Sequence, residues 1–171
     1  VVIDPDNPET VYAETHDVGL FRSNNGGETW MFTFAPKAGN TTLEPQSPNH
    51  IYVFGGAGHT LWHSENYGES WTELTSTFPV TQTSGPPCWD SERLKPYVVS
   101  ETSTLYVSAC GADNRFSGVI SSTDHGASWE PAMNGLTDTR VTDLAFHPTD
   151  PRTMYAGTVS GNVFISHNGG M

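Results

Sequence analysis

The sequence predicts an all-β chain of repeated four-stranded antiparallel units, and three landmarks carry that prediction. The first is a box, Ser-x-Asn/Asp-x-Gly-x-Ser/Thr-Trp, present in full at Ser23-Asn25-Gly27-Thr29-Trp30, Ser64-Asn66-Gly68-Ser70-Trp71 and Ser122-Asp124-Gly126-Ser128-Trp129. A fourth copy starts at Ser166-Asn168-Gly170, and a tryptophan would be expected next. The second is an apolar-Tyr-apolar triplet upstream of each box: Val11-Tyr12-Ala13, Ile51-Tyr52-Val53, Leu105-Tyr106-Val107 and Met154-Tyr155-Ala156. The third is a Pro-x-x-Pro turn ahead of three of the tyrosines, at Pro5/Pro8, Pro45/Pro48 and Pro148/Pro151. Landmarks in constant order, with box serines 41, 58 and 44 residues apart, mark a repeat architecture.

Each unit reads in the same order. A short extended run (Val2-Ile3, Thr42-Leu43, Leu144-Ala145-Phe146) leads into the proline turn, where a fixed φ and a missing donor end the ladder. The tyrosine strand follows, then an apolar strand: Gly19 to Arg22, Thr60 to His63, Gly118 to Ser121 and Asn162 to Ile165. The box makes the hairpin into a fourth strand that starts at the tryptophan. Asn, Asp and Gly supply the positive-φ positions there, and Ser/Thr hydroxyls bond the turn's own backbone. No stretch keeps a 3.6-residue apolar period, so almost no helix is expected. The units run about 1–35, 36–76, 77–134 and 135–171, the last reaching only its third strand. Four-stranded units of this length repeating around an axis make a β-propeller. About four blades are present. Closed propellers use about 4–8 blades and lose their sheet edges by closure, so a segment of a larger propeller is expected. The remaining blades or self-association would then close the edges.

Composition narrows the partners. Lys plus Arg number 7 against 19 Asp plus Glu, a formal charge of −12, and charged residues are only 15%. A chain so poor in cations has no basic patch for a phosphate backbone, so no nucleic acid is expected. The apolar runs are too short to span a bilayer.

The box resembles the Asp-box, or bacterial neuraminidase repeat, of sialidases, xyloglucanases, sortilin-type ectodomains and photosystem assembly factors. The resemblance covers essentially the whole chain and implies a propeller whose box tryptophans (Trp30, Trp71, Trp129) pack between sheets. It does not select a function, because that family spans unrelated ones.

In a propeller the loops after the second strand of each blade, and those joining blades, share the face around the central channel. The longest such loops belong to the third unit, Thr77 to Lys95 and Ala109 to Ser117, and long loops on a rigid scaffold are where binding residues concentrate. Candidate ligand-binding residues on this face are Trp89, Asp90, Arg93, Asp113 and Arg115, with His16 and His59 from neighbouring loops. Trp89 stands outside the repeat register and reads equally as a stacking residue or as a plug of its own loop. Cys88 and Cys110 fall one in each insertion. A disulfide between them is expected, the other reading being two thiols in a reducing compartment; sortilin-type ectodomains place a similar pair. With the sequon Asn40-Thr41-Thr42, a disulfide suits an extracellular or periplasmic setting.

The stretch Tyr12-Ala13-Glu14-Thr15-His16-Asp17-Val18-Gly19-Leu20-Phe21-Arg22 resembles the xyloglucanase motif Tyr-Ala-Arg-Thr-Asp-Val/Ile-Gly-Gly-x-Tyr-Arg. The resemblance implies that Asp17 is one of two catalytic carboxylates. The departures are Glu14 for Arg, an inserted His16 and a missing Gly. Glycoside hydrolysis by inversion needs a second carboxylate roughly 6.5–9.5 Å away; Asp90, Glu92 and Asp113 are channel-face acids, and spacing singles out none. The sialidase version is weaker, since the Arg-Ile-Pro signature and an arginine clamp are missing. The seven histidines show no zinc spacing, and no phosphate or dinucleotide fingerprint occurs, so no metal and no cofactor are expected. The sequence therefore favours a glycan- or protein-binding scaffold propeller. The alternative is a fragment of a glycoside hydrolase acting on polysaccharide.

Overall fold

Turn chemistry and strand patterning are realised in a computed structural model that describes residues 1–15, 18–34, 38–44, 47–55, 60–74, 78, 95–99, 102–110 and 117–171. The chain divides into two compact units, Val1–Ser76 and Thr77–Met171. In the first, β1 (Val2–Ile3), β2 (Val11–Thr15), β3 (Gly19–Ser23) and β4 (Met31–Phe34) form one sheet in that order. There β5 (Ala38–Glu44), β6 (Ser47–Gly55), β7 (Thr60–Ser64) and β8 (Thr72–Glu73) form another. In the second unit β9 (Lys95–Val99), β10 (Thr104–Cys110), β11 (Ser117–Ser122) and β12 (Glu130–Pro131) make a four-stranded sheet. The three strands β13 (Val141–His147), β14 (Asp150–Thr158) and β15 (Val163–Ser166) make the last. Within each sheet every strand pairs antiparallel with its neighbours in sequence, which is the meander of a propeller blade, and no helix occurs among the described residues. The third sheet opens on β9 although no proline turn announces it; Pro96 is accommodated because β9 is an edge strand. The fourth strand of each complete sheet starts one residue after the box tryptophan, not on it.

All four boxes fold alike. Ser23 Oγ donates to Asn25 Oδ1 (2.9 Å) and accepts from the amides of Asn25 (3.2 Å) and Gly27 (2.9 Å). Asn25 Oδ1 then accepts from Thr29 N at 2.9 Å. The same serine-centred pattern recurs at Ser64, Ser122 and Ser166. One hydroxyl thus satisfies two turn amides that no ladder reaches.

Apolar side chains on alternate strand positions fill the space between sheets within each unit. Leu20, Ile51, Val53 and Leu61 are fully buried in the first, and Val107, Ile120 and Val141 in the second. Two of the triplet tyrosines act as inter-sheet ties. Tyr12 donates its hydroxyl to Tyr67 O (3.4 Å) and Tyr106 donates to Gly169 O (3.5 Å), each the residue before the last box glycine. Burial pushes the Tyr12 hydroxyl up to about 12 and raises that of Tyr106, so both stay protonated donors.

The three box tryptophans differ in their cover. Trp71 lies against Phe34 (ring centroids 4.6 Å) and Trp129 is buried, edge-on to Phe78 at 5.0 Å. Trp30 is instead 42% exposed, beside exposed Met31 and Phe32. Trp71 rests on the outer strand of the sheet that precedes its own, and among the described residues no such floor exists for Trp30. The residue just before the proline turn caps that turn. Asp4 is buried, and its Oδ1 accepts from the amides of Asp6 (2.9 Å) and Asn7 (3.1 Å). His147 is exposed but caps its turn likewise, accepting from Thr149 N at 3.3 Å.

Candidate functional site

The xyloglucanase-like stretch is the β2–β3 hairpin. Its strands pair from Val11↔Ser23 to Thr15↔Gly19, so the hairpin turns between Thr15 and Gly19. Thr15 and Gly19 lock the base of that turn: the Thr15 hydroxyl donates to Gly19 O and accepts from Gly19 N, both at 3.1 Å. Gly19 has φ +137°, and a Cβ there would collide with the backbone oxygen of Phe34 on β4. Only glycine permits that approach, so the single glycine kept from the motif is the one that packs. Val18 is 56% exposed in the turn. His16 and Asp17 lie outside the described residues. The Thr15–Gly19 bonds thus fix the base of the hairpin turn.

Glu14, which replaces the motif's arginine, has a partner of its own. Its Oε2 accepts from Thr41 N (3.1 Å) and from the Thr41 hydroxyl (3.0 Å). Thr41 lies beside a register shift in β5, an edge strand whose alternate amides point away from β6. Glu14 thus ties the first hairpin to the next sheet of its unit. The sequon residue Asn40 falls within the same irregularity.

The other sequence-predicted binding residues, His59, Trp89, Asp90, Arg93, Asp113 and Arg115, lie outside the described residues, as does Cys88. The main chain of Cys110 closes β10 opposite Ser117, which sets the 111–116 insertion at the end of that hairpin. The Cys88–Cys110 pairing itself falls outside the described residues.

At the corresponding end of the last sheet a polar group emerges that the sequence reading did not single out. Arg140 Nε sits 3.3 Å from Asp138 Oδ1, and Arg140 Nη2 donates to Ser160 Oγ at 2.6 Å. Asp138 Oδ1 also accepts from Arg140 N (3.2 Å), and Val159 N donates to Arg140 O (3.0 Å). Ser117 Oγ donates to Thr139 O at 2.9 Å, joining the β10–β11 hairpin to this linker. The Ser160 hydroxyl, then the Arg140 amide and guanidinium among others, hold the Asp138 carboxyl down to about 2. An acid so low is ionised at any working pH. It can accept from sugar hydroxyls or orient Arg140, but it is unsuited to general acid catalysis, which needs a raised pKa. The signal in the sequence was Asp138-Thr139-Arg140, a short linker with no repeat landmark to draw attention to it.

No family model matches the chain. By sequence it is 27% identical over 158 residues to a xyloglucanase from a Paenibacillus species, a match covering 74% of this chain and 15% of that protein. By structure it is similar to the GH74 enzyme of Niastella koreensis, with TM-score 0.70 and 22% identity over 98% of this chain and 27% of the other. A more distant likeness is to YCF48 bound to D1 peptide, with TM-score 0.54, 13% identity, and 88% and 44% of the two chains covered. The chain thus spans well under a third of the xyloglucanase and of the GH74 enzyme. Its four sheets are blades of a β-propeller, and its relatives by sequence are xyloglucanases.

Proposed function

We propose that these residues belong to a glycoside hydrolase acting on xyloglucan outside the cytoplasm, with Asp17 as one of its two catalytic carboxylates. The observation that carries this reading is the likeness to the Paenibacillus xyloglucanase along 158 residues. The rigid base at Thr15 and Gly19 suits the role, because a catalytic carboxylate has to be held in place by its surroundings. Trp89 would stack on a sugar ring from the third unit's loop.

The test is cleavage of xyloglucan by the native protein, read as new reducing ends. Asp17→Asn is expected to lower the rate at least about a hundredfold, the scale of a lost acid or base. Retardation in xyloglucan-containing gels should stay unchanged. Wild-type rates in the variant would overturn the assignment.

A non-catalytic recognition propeller is the second reading, and Glu14 favours it. The motif's arginine is replaced by a residue engaged in tying two sheets together. Under this reading the native protein binds a glycan or a peptide on the channel-face loops, and Asp17→Asn leaves that binding as it was. Retention on xyloglucan with no cleavage would support it.

A further inference from the structure

Three Asn-Gly pairs occur in the chain, Asn25-Gly26, Asn134-Gly135 and Asn168-Gly169. An asparagine followed by glycine is open to attack by its own main chain, because no Cβ on the next residue shields that residue's nitrogen. The fold treats the three pairs differently.

Two of them belong to boxes, and there both reacting groups are held. Asn25 Oδ1 accepts from Ser23 Oγ and from Thr29 N, each at 2.9 Å, and its Nδ2 donates to Thr29 Oγ1 at 2.9 Å. The attacking nitrogen is engaged as well, since Gly26 N donates to Glu9 O at 2.9 Å. Asn168 repeats the arrangement: its Oδ1 accepts from Ser166 Oγ (2.8 Å), and Gly169 N donates to Arg152 O (2.8 Å). In a box, side chain and nitrogen can meet only when the turn opens.

Asn134 lies in the linker between β12 and β13, and there neither group is held. It is exposed, and its side-chain amide makes no hydrogen bond among the described residues. Gly135 N donates to none of them either. Gly135 has φ +80°, and nothing lies within 4 Å of the place a Cβ would take. The flanking main chain is anchored: Asn134 N donates to Gly170 O (2.9 Å) and Leu136 N to Met133 O (3.0 Å). The peptide from Asn134 to Gly135 is thus a loose link between fixed neighbours.

We propose that Asn134 is a site of spontaneous deamidation, with water as the co-reactant. The Gly135 nitrogen forms a bond to Asn134 Cγ, and ammonia leaves with the proton that this nitrogen gives up. Water then opens the cyclic imide at either carbonyl, giving aspartate or isoaspartate at 134. Nothing is oxidised or reduced. The isoaspartyl product carries an additional main-chain carbon inside the turn closed by Leu136 N and Met133 O, so that bond is the one the modification breaks. A carboxylate at a box position is accommodated, as Asp124 shows by accepting from Ser122 Oγ (2.7 Å) and Ser128 N (2.8 Å). What spares Asn25 and Asn168 is therefore slow formation of the imide and not an unstable product. The inference stands apart from the hydrolase reading, as it needs no substrate.

The test is incubation of the 171-residue chain in mildly alkaline buffer, folded and in urea, with peptide maps that count aspartyl and isoaspartyl products at the three positions. In the folded chain Asn134 is expected to react at least about tenfold faster than Asn25 or Asn168, which wait on local opening. In urea the three rates should converge. Asn134→Gln, whose longer side chain would have to close a larger ring, should remove the acidic variant that anion exchange resolves from the fresh protein. If that variant does not fold, the peptide maps of the wild type decide. Equal rates at the three pairs in the folded chain, a faster box asparagine, or an undiminished lead of Asn134 in urea would each overturn the assignment. So would an acidic variant that persists unchanged in a folded Asn134→Gln.

Discussion

Asp124 holds the place that asparagine holds in the other three boxes, and it does so as a carboxylate drawn from the usual 3.8 down to about 2. The Ser128 hydroxyl is the main cause, with the Ser128 amide and the Ser122 hydroxyl behind it. The folded pKa is depressed, so the ionised turn stabilises fully above pH about 4 and loses that contribution as pH falls toward 2. Asn25 fills the same position without titrating, its Nδ2 donating to Thr29 Oγ1 at 2.9 Å. Asp124→Asn should therefore fold normally and lose less stability than wild type between pH 4 and 2 in urea titrations. Parallel slopes in the two proteins would show that Asp124 contributes nothing to acid sensitivity. The Asn25, Asn66 and Asn168 equivalence was legible in the sequence; that the lone carboxylate is bound by two serines required the coordinates.

At the scale of an element, the box is a turn whose glycine serves two ends. Gly68 has φ +86°, and a Cβ on it would sit 2.5 Å from Thr33 Oγ1 on β4. Gly161, in the β14–β15 loop, has φ +81° with nothing within 4 Å of that Cβ. The pair separates backbone strain from packing. Gly161→Ala should cost about 1–2 kcal/mol, the left-handed penalty alone. Gly68→Ala adds the displacement of Thr33, about 1–3 kcal/mol more, as overpacking commonly costs. Chemical denaturation of the two variants checks this, and equal losses would mean that Thr33 yields freely. The hairpin of β2 and β3 teaches a related lesson. Its strands and its glycine were readable from alternation and motif, while the bond from Glu14 to Thr41 lies beside an irregularity in β5 that no pattern in the sequence announces.

At the scale of the whole molecule, the outer sheets carry exposed apolar residues. Trp30, Met31 and Phe32 are exposed on the first sheet, and Val163 (73%) and Ile165 (54%) on the last. Open strand edges flanked by apolar residues pair with other chains unless they are covered. The 171-residue chain alone is thus expected to give a light-scattering mass that rises above 18.6 kDa with concentration. Val163→Lys with Ile165→Lys should bring it back toward the monomer value. A concentration-independent monomer in the wild type would show that these surfaces are not adhesive.

Period, turn residues and tyrosine triplets by themselves determined the strand order, the hairpin turns and the all-β class. Each is a local property: hydroxyl and amide side chains satisfy their own turn, and alternation decides which face is buried. Tertiary structure decided the rest. Whether a tryptophan is covered depends on the sheet beside it, so three boxes of one pattern leave Trp129 buried, Trp71 half-buried and Trp30 exposed. Asp138, Arg140 and Ser160 meet only because the chain leaves one blade and the next hairpin returns to the same place. Spacing along the chain carries no trace of such a meeting, since the contact is made by the fold and not by the repeat.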